Sequence, residues 1–82
     1  MINVKFFARL RDLLDTDSVD LNSESLHTAK DVIDQLIKDY PHWQDALSST
    51  QWLVAINQTM AQPNSPVADG DEVAFFPPVT GG

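Results

Sequence analysis

The sequence predicts an α+β domain: one mixed sheet covered on one face by one main helix. Three observations lead there. Strand-like apolar segments stand at the two ends of the chain, Ile2 to Ala8 and Glu72 to Phe76. Between them lies a single strongly one-sided helical stripe, Thr28 to Tyr40. The remaining apolar runs are short and broken by turn residues, so one dominant helix must cover one face of one sheet.

Each element has its own signal. Ile2, Val4, Phe6 and Ala8 alternate with more polar or outward positions, the period of a half-buried strand. Arg9 to Leu14 suits a short helical turn. Ser18-Val19-Asp20-Leu21 is placed to pair back on the first strand as a hairpin. In the helix, Ala29, Val32, Ile33, Leu36, Ile37 and Tyr40 form the stripe, Thr28 with Asp31 resembles a capping box, and Pro41 ends it. A second short helix is expected around His42 to Leu47. Trp52 to Ile56 reads as a buried strand, Asn57-Gln58 as a turn, and Thr59-Met60-Ala61 as a strand pairing back. Pro63 and Pro66 bound a loop. Asp69-Gly70-Asp71 is a tight turn into the last strand. This order predicts a β-grasp (ubiquitin-like) roll over residues 1–76, with the first and last strands central and residues 77–82 as a flexible tail.

One helix leaves the other sheet face uncovered. Adjacent strand residues point to opposite faces. So one phenylalanine of Phe6-Phe7 and one of Phe75-Phe76 must leave the core. Alternation assigns Phe6, Val73 and Phe75 inward and Phe7 and Phe76 outward. If the two strands are neighbours, Phe7 and Phe76 form an aromatic patch, with Arg11 and Met60 placed to flank it. Aromatics, Met and Arg are the residue types enriched at protein interfaces.

Composition narrows the chemistry. At 82 residues, with 43% hydrophobic content, the chain is one small globular domain. It has no cysteine, which excludes disulfides, thiolate metal sites and a cysteine nucleophile. A net charge of −7 argues against nucleic acid and favours a basic protein surface as partner. No apolar run approaches the length of a membrane span, and the start is not a signal peptide, so a cytoplasmic location is expected. The only histidines are His27 and His42, and no nucleophile–base–orienter set or metal motif accompanies them. Asp69-x-Asp71-Glu72 is read as a turn, Asp12, Asp15, Asp17 and Asp20 as a solvated edge, and Trp43 and Trp52 as core anchors.

That leaves the C-terminal stretch Pro77-Pro78-Val79-Thr80-Gly81-Gly82. The prolines lack N–H groups, so they end the ladder and stiffen the exit. Gly81 and Gly82 carry no side chain, so their backbone can closely approach another protein's catalytic groups. Fully extended, the five residues after Pro77 reach roughly 16–18 Å. A terminal carboxylate becomes reactive only after activation, for example as an acyl-adenylate made with ATP by another enzyme. Displacement by sulfur then gives a thiocarboxylate, and displacement by an amine gives an isopeptide bond. Gly-Gly alone does not choose between them.

Three segments carry a resemblance to a known family: Val4-Lys5-Phe6-Phe7-Ala8 with Arg11, Ala55-Ile56-Asn57-Gln58-Thr59-Met60, and above all Asp69 through Gly82. Together they resemble the small, sulfur-carrying subunits of molybdopterin synthase. The resemblance implies that the C-terminal glycine, here Gly82, is adenylated by an enzyme related to ubiquitin activators, with ATP, and receives sulfur from a sulfurtransferase. It implies insertion of Gly81 and Gly82 into a large subunit. There the thiocarboxylate gives sulfur to cyclic pyranopterin monophosphate, forming the dithiolene of the molybdenum cofactor. It implies a heterotetramer whose catalytic groups lie on the large subunits, with no bound cofactor or metal here. Phe7, Arg11, Met60 and Phe76, with the tail residues Pro77, Pro78, Val79 and Thr80, match the family's partner-binding positions. Met60 stands where the family often has leucine, a volume-conserving change. A ubiquitin-like protein modifier, or a sulfur carrier of another pathway such as thiamine synthesis, are the competing readings.

Overall fold

The computed structural model describes residues 1–49 and 52–78. Its elements are β1 (Ile2–Phe6), α1 (Ala8–Leu14), β2 (Ser18–Leu21), α2 (Ala29–Asp39), a 3-10 turn (Pro41–Trp43), α3 (Gln44–Ser49), β3 (Leu53–Ile56), β4 (Thr59–Ala61) and β5 (Glu72–Phe76). The five strands form one sheet in the order β2-β1-β5-β3-β4. β1 and β5 run parallel, with Phe6 opposite Phe75, and the other pairs are antiparallel. The terminal strands therefore lie side by side, as the β-grasp reading requires. Because they are parallel, the C-terminal ends of both reach the same end of the sheet.

Alternation decides what the sheet buries. Ile2, Val4 and Phe6 of β1, Val73 and Phe75 of β5 and Val54 of β3 are all at most 2% exposed. They meet Val32 and Leu36 of α2, which are fully buried. Phe6 stacks on Phe75 and takes Trp43 edge-on, with ring centroids 6.4 and 5.5 Å away. Each such buried aromatic contributes about 2–3 kcal/mol of transfer free energy, a large share for a domain this size.

The main helix starts where its cap places it. Thr28 is extended, and its Oγ1 accepts the Asp31 N–H at 3.2 Å. The Asp31 carboxylate accepts the N–H groups of Thr28 and His27 at 3.1 and 3.0 Å. These bonds, the one from His27 first, hold the Asp31 pKa below its ordinary value. At the other end Tyr40 is the C-cap and Pro41 opens the 3-10 turn. Thr28→Ala should cost about 1 kcal/mol, a fall in thermal midpoint of roughly 4–8 °C for a domain of this size. Asp31 contributes in full above the ordinary aspartate pKa, and that contribution is lost as pH falls through the lower folded value. Urea denaturation of Asp31→Asn and the native chain should therefore differ at neutral pH and converge below about pH 4.

Two local expectations are corrected. Ala8 does not continue the inward face of β1: it is exposed and opens α1 with φ 53°. The chain passes from strand to helix without a linker, and this left-handed residue makes the corner. Trp52 lies outside β3, and Leu53 within it is 37% exposed, so the run Trp52 to Ile56 is not buried throughout. The Trp52 ring turns inward, edge-on to Phe75 at 5.2 Å, and its Nε1–H donates to the Leu47 carbonyl at 2.9 Å.

The turns behave as read. Asn57 and Gln58 both take positive φ, 51° and 69°, the pattern of a two-residue hairpin that matches strand twist. The Asn57 amide donates to Asp71 and accepts the Glu72 N–H, both at 3.0 Å, tying the β3–β4 hairpin to the start of β5. Gly70 sits at φ 90°, where a side chain would be strained. Asp71 accepts the Ala68 N–H at 2.8 Å, and Asp69 accepts the Met1 α-amino group and Ser23. The amino group, then Ser23, lower the Asp69 pKa. These carboxylates serve the turn and its neighbours. Among the described residues no His, Asp or Glu group is arranged to hold a metal ion, and no helix is long and apolar enough to cross a membrane.

Candidate functional site

The sheet face away from α2 holds the candidate residues. Phe7 is 45% exposed, Met60 60%, and Phe76 is partly exposed, while Phe6 and Phe75 are buried. The outward assignment of Phe7 and Phe76 is thus met. Their proximity follows from the parallel pairing: Phe6 faces Phe75, and the Phe7 N–H donates to the Phe75 carbonyl at 3.1 Å. Phe7 has an extended backbone and precedes the left-handed Ala8, so its side chain is set just before the chain turns away into α1.

Register arranges the face in two rows. Leu53 is opposite Phe76, and Phe7 follows on the other side of β5. Behind them, Met60 is opposite Ala55, Ala55 opposite Ala74, and Ala74 opposite Lys5. Leu53 is the residue that reading by composition missed. Its signal was available, since alternation from Val54 puts Leu53 and Ala55 on one face and Trp52, Val54 and Ile56 on the other.

Charge bounds the apolar rows on the β1 side. Lys5 pairs with Glu72 at 3.1 Å, and Arg11 lies 3.7 Å from Asp17. Both pairs are substantially exposed, so each adds little stability and its cation stays open to a competing partner. A shallow hollow of about 160 Å³ separates Phe7 from Lys5, Arg11 and Ser18. Arg11 and Met60 thus sit at opposite flanks of the patch. Asp12, Asp15, Asp17 and Asp20 are exposed, as a solvated edge should be.

Pro77 and Pro78, half-buried, follow directly on the Leu53–Phe76–Phe7 row. Val79, Thr80, Gly81 and Gly82 lie outside the described residues. Histidine supplies no chemistry at this face. His42 packs edge-on against Tyr40 and Trp43, at 6.4 and 5.8 Å, and His27 is exposed at the start of α2. The described face offers shape, apolar area and a few charges. It can recognise a partner, and it carries no nucleophile, base or metal site of its own.

Comparison with known families places the chain as a whole. Residues 4–82 match the ThiS family. The chain belongs to the ThiS family. Within it, the molybdopterin synthase sulfur carrier subunit of Haemophilus influenzae is 46% identical over 82 residues, covering 100% of both chains. The corresponding subunit of Escherichia coli is 42% identical over the same span, again 100% of both. Among solved structures, SAMP1 from Haloferax volcanii superposes with a TM-score of 0.79 at 28% identity, covering 99% of this chain and 98% of that one. A chain in the protein–protein complex of subunits 1 and 2 of molybdopterin-converting factor from Helicobacter pylori superposes with a TM-score of 0.66 at 21% identity, covering 99% of this chain and 97% of that one. At that identity the likeness speaks to the fold, which is the ubiquitin-like β-grasp of this ThiS-family member.

Proposed function

We propose that this chain is the sulfur-carrier subunit of a molybdopterin synthase. The observation that carries the reading is end-to-end identity of 46% and 42% with two such subunits, on a fold whose exposed apolar face adjoins the start of the tail. Gly82 is the carrier. Its carboxylate attacks the α-phosphorus of ATP in a separate activating enzyme, forming an acyl-adenylate and releasing pyrophosphate. A sulfur nucleophile from a sulfurtransferase system then displaces AMP and leaves the thiocarboxylate. The face around Phe7, Phe76, Met60 and Arg11 docks on the large subunit, so that Val79 to Gly82 extend into it and sulfur passes to cyclic pyranopterin monophosphate. The assembly is a heterotetramer with the catalytic groups on the large subunit. No bound cofactor is required here, and ATP is used only by the activating enzyme. The location is cytoplasmic.

A second reading, a conjugated protein modifier, is favoured by one observation: small archaeal modifier protein 1 of H. volcanii shares the fold at a TM-score of 0.77 and 26% identity. Intact mass separates the two after expression beside the activating enzyme and sulfurtransferase. Exchange of one oxygen for sulfur, mapped to Gly82, is expected. Chain-sized adducts on lysines of other proteins, with no thiocarboxylate, would overturn the carrier reading. Dithiolene formation on adding large subunit and precursor separates this carrier from one serving thiamine synthesis.

A further inference from the structure

We propose that Leu53 is a docking residue for the large subunit, so that the partner's apolar cover crosses β5 and extends over β3. The inference rests on the docking face argued above and extends it to a strand that composition alone had assigned to the core.

Four observations place Leu53 there. It is 37% exposed although it lies inside a strand. It is opposite Phe76 in the antiparallel register, on the same outer face. Its exposure is not forced by poor packing at that end of the sheet, because Val54 and the inward-turned Trp52 already cover Phe75 from this side. And β4 stops short of it: Ala61 is opposite Val54, leaving no strand residue paired beside Leu53 on that flank.

Leu53, Phe76 and Phe7 thus form one apolar row across β3, β5 and β1, at the end of the sheet where Pro77 leaves it. A partner that receives the tail must lie against this end. An apolar partner surface placed there buries the whole row or leaves half of Phe76's surroundings wet. The stretch Ala46 to Ala68 contains no charged side chain, so approach over β3 meets no charge to desolvate, whereas approach over β2 meets Asp17 and Asp20. Burial of an exposed leucine at the centre of such a contact is the kind of interaction that alanine substitution detects.

The test compares Leu53→Ala, Leu53→Lys and Phe76→Ala for binding to purified large subunit by titration calorimetry, with thermal midpoints of the free domains alongside. Leu53→Ala should bind roughly tenfold more weakly and Leu53→Lys should not bind measurably, both keeping a near-native midpoint because the side chain is already partly exposed. Native affinity for both Leu53 variants, with Phe76→Ala weakened, would overturn the role of Leu53 and leave the docking face standing. Native affinity for all three would overturn the docking face itself.

Discussion

Deleting Gly82 should leave the thermal midpoint of the domain unchanged and reduce sulfur transfer by more than about 100-fold. The reason is geometric on both counts. Every strand pairing, cap and core contact described here is made at or before Pro78, so the deletion removes none of them. The shortened chain still ends on glycine, Gly81, and its carboxylate is chemically the same. What changes is reach: one residue is worth about 3.3–3.6 Å of extended chain. A misplacement of ~1 Å can already cost 100-fold when the reacting atoms must be held at bonding distance. Single-turnover transfer from chemically thiocarboxylated variants to precursor-loaded large subunit isolates this step from adenylation. Transfer at the native rate would show that the reach of the tail does not govern transfer.

Phe75→Ala should cost about 3–5 kcal/mol, the range for removing a large buried aromatic. Phe75 is fully buried, stacks on Phe6 and takes Trp52 edge-on, so its loss opens a cavity against these two rings. With 4–8 °C per kcal/mol for a domain this small, and total stabilities of only about 5–15 kcal/mol, the variant should be largely unfolded well below the native midpoint. Phe76→Ala, one residue along, should cost about 1 kcal/mol or less in the free domain yet weaken large-subunit binding by roughly 30-fold or more, a hot-spot loss of ~2 kcal/mol. Denaturant titration of the free domains and calorimetric titration with the large subunit read the two effects separately. A Phe76→Ala domain that unfolds would show that this residue supports the core, and one that binds at native affinity would show that it does not dock.

The opposite expectations for two adjacent phenylalanines could be set from the chain alone, because strand geometry alternates side chains without help from the rest of the fold. The same local logic found the cap at Thr28 and Asp31, the hairpin turn at Asn57-Gln58 and the glycine turn at Gly70. It failed where the answer depended on what the residue meets. Ala8 fits the strand period, but the chain must turn there to lay α1 over the end of the sheet, and a left-handed residue makes that turn. Leu53 belongs to an unbroken apolar run that resembles a buried strand. Alternation sets it on the face opposite Val54, but only its register against Phe76 shows that this face is the outer one it shares with that ring.

Local pattern therefore established the element order, the inward and outward sense of each phenylalanine and the absence of any cysteine chemistry. The specific motif from Asp69 to Gly82 carried the family resemblance. Which outward residues share one surface was a matter for tertiary structure. Phe7 and Phe76 stand at opposite ends of the chain, and Leu53 and Met60 in its second half. They converge because β1 and β5 pair in parallel at the centre of the sheet, with β3 and β4 added on the far side of β5. No local signal encodes that pairing; it follows from burying Ile2, Val4, Phe6, Val73 and Phe75 together beneath a single helix.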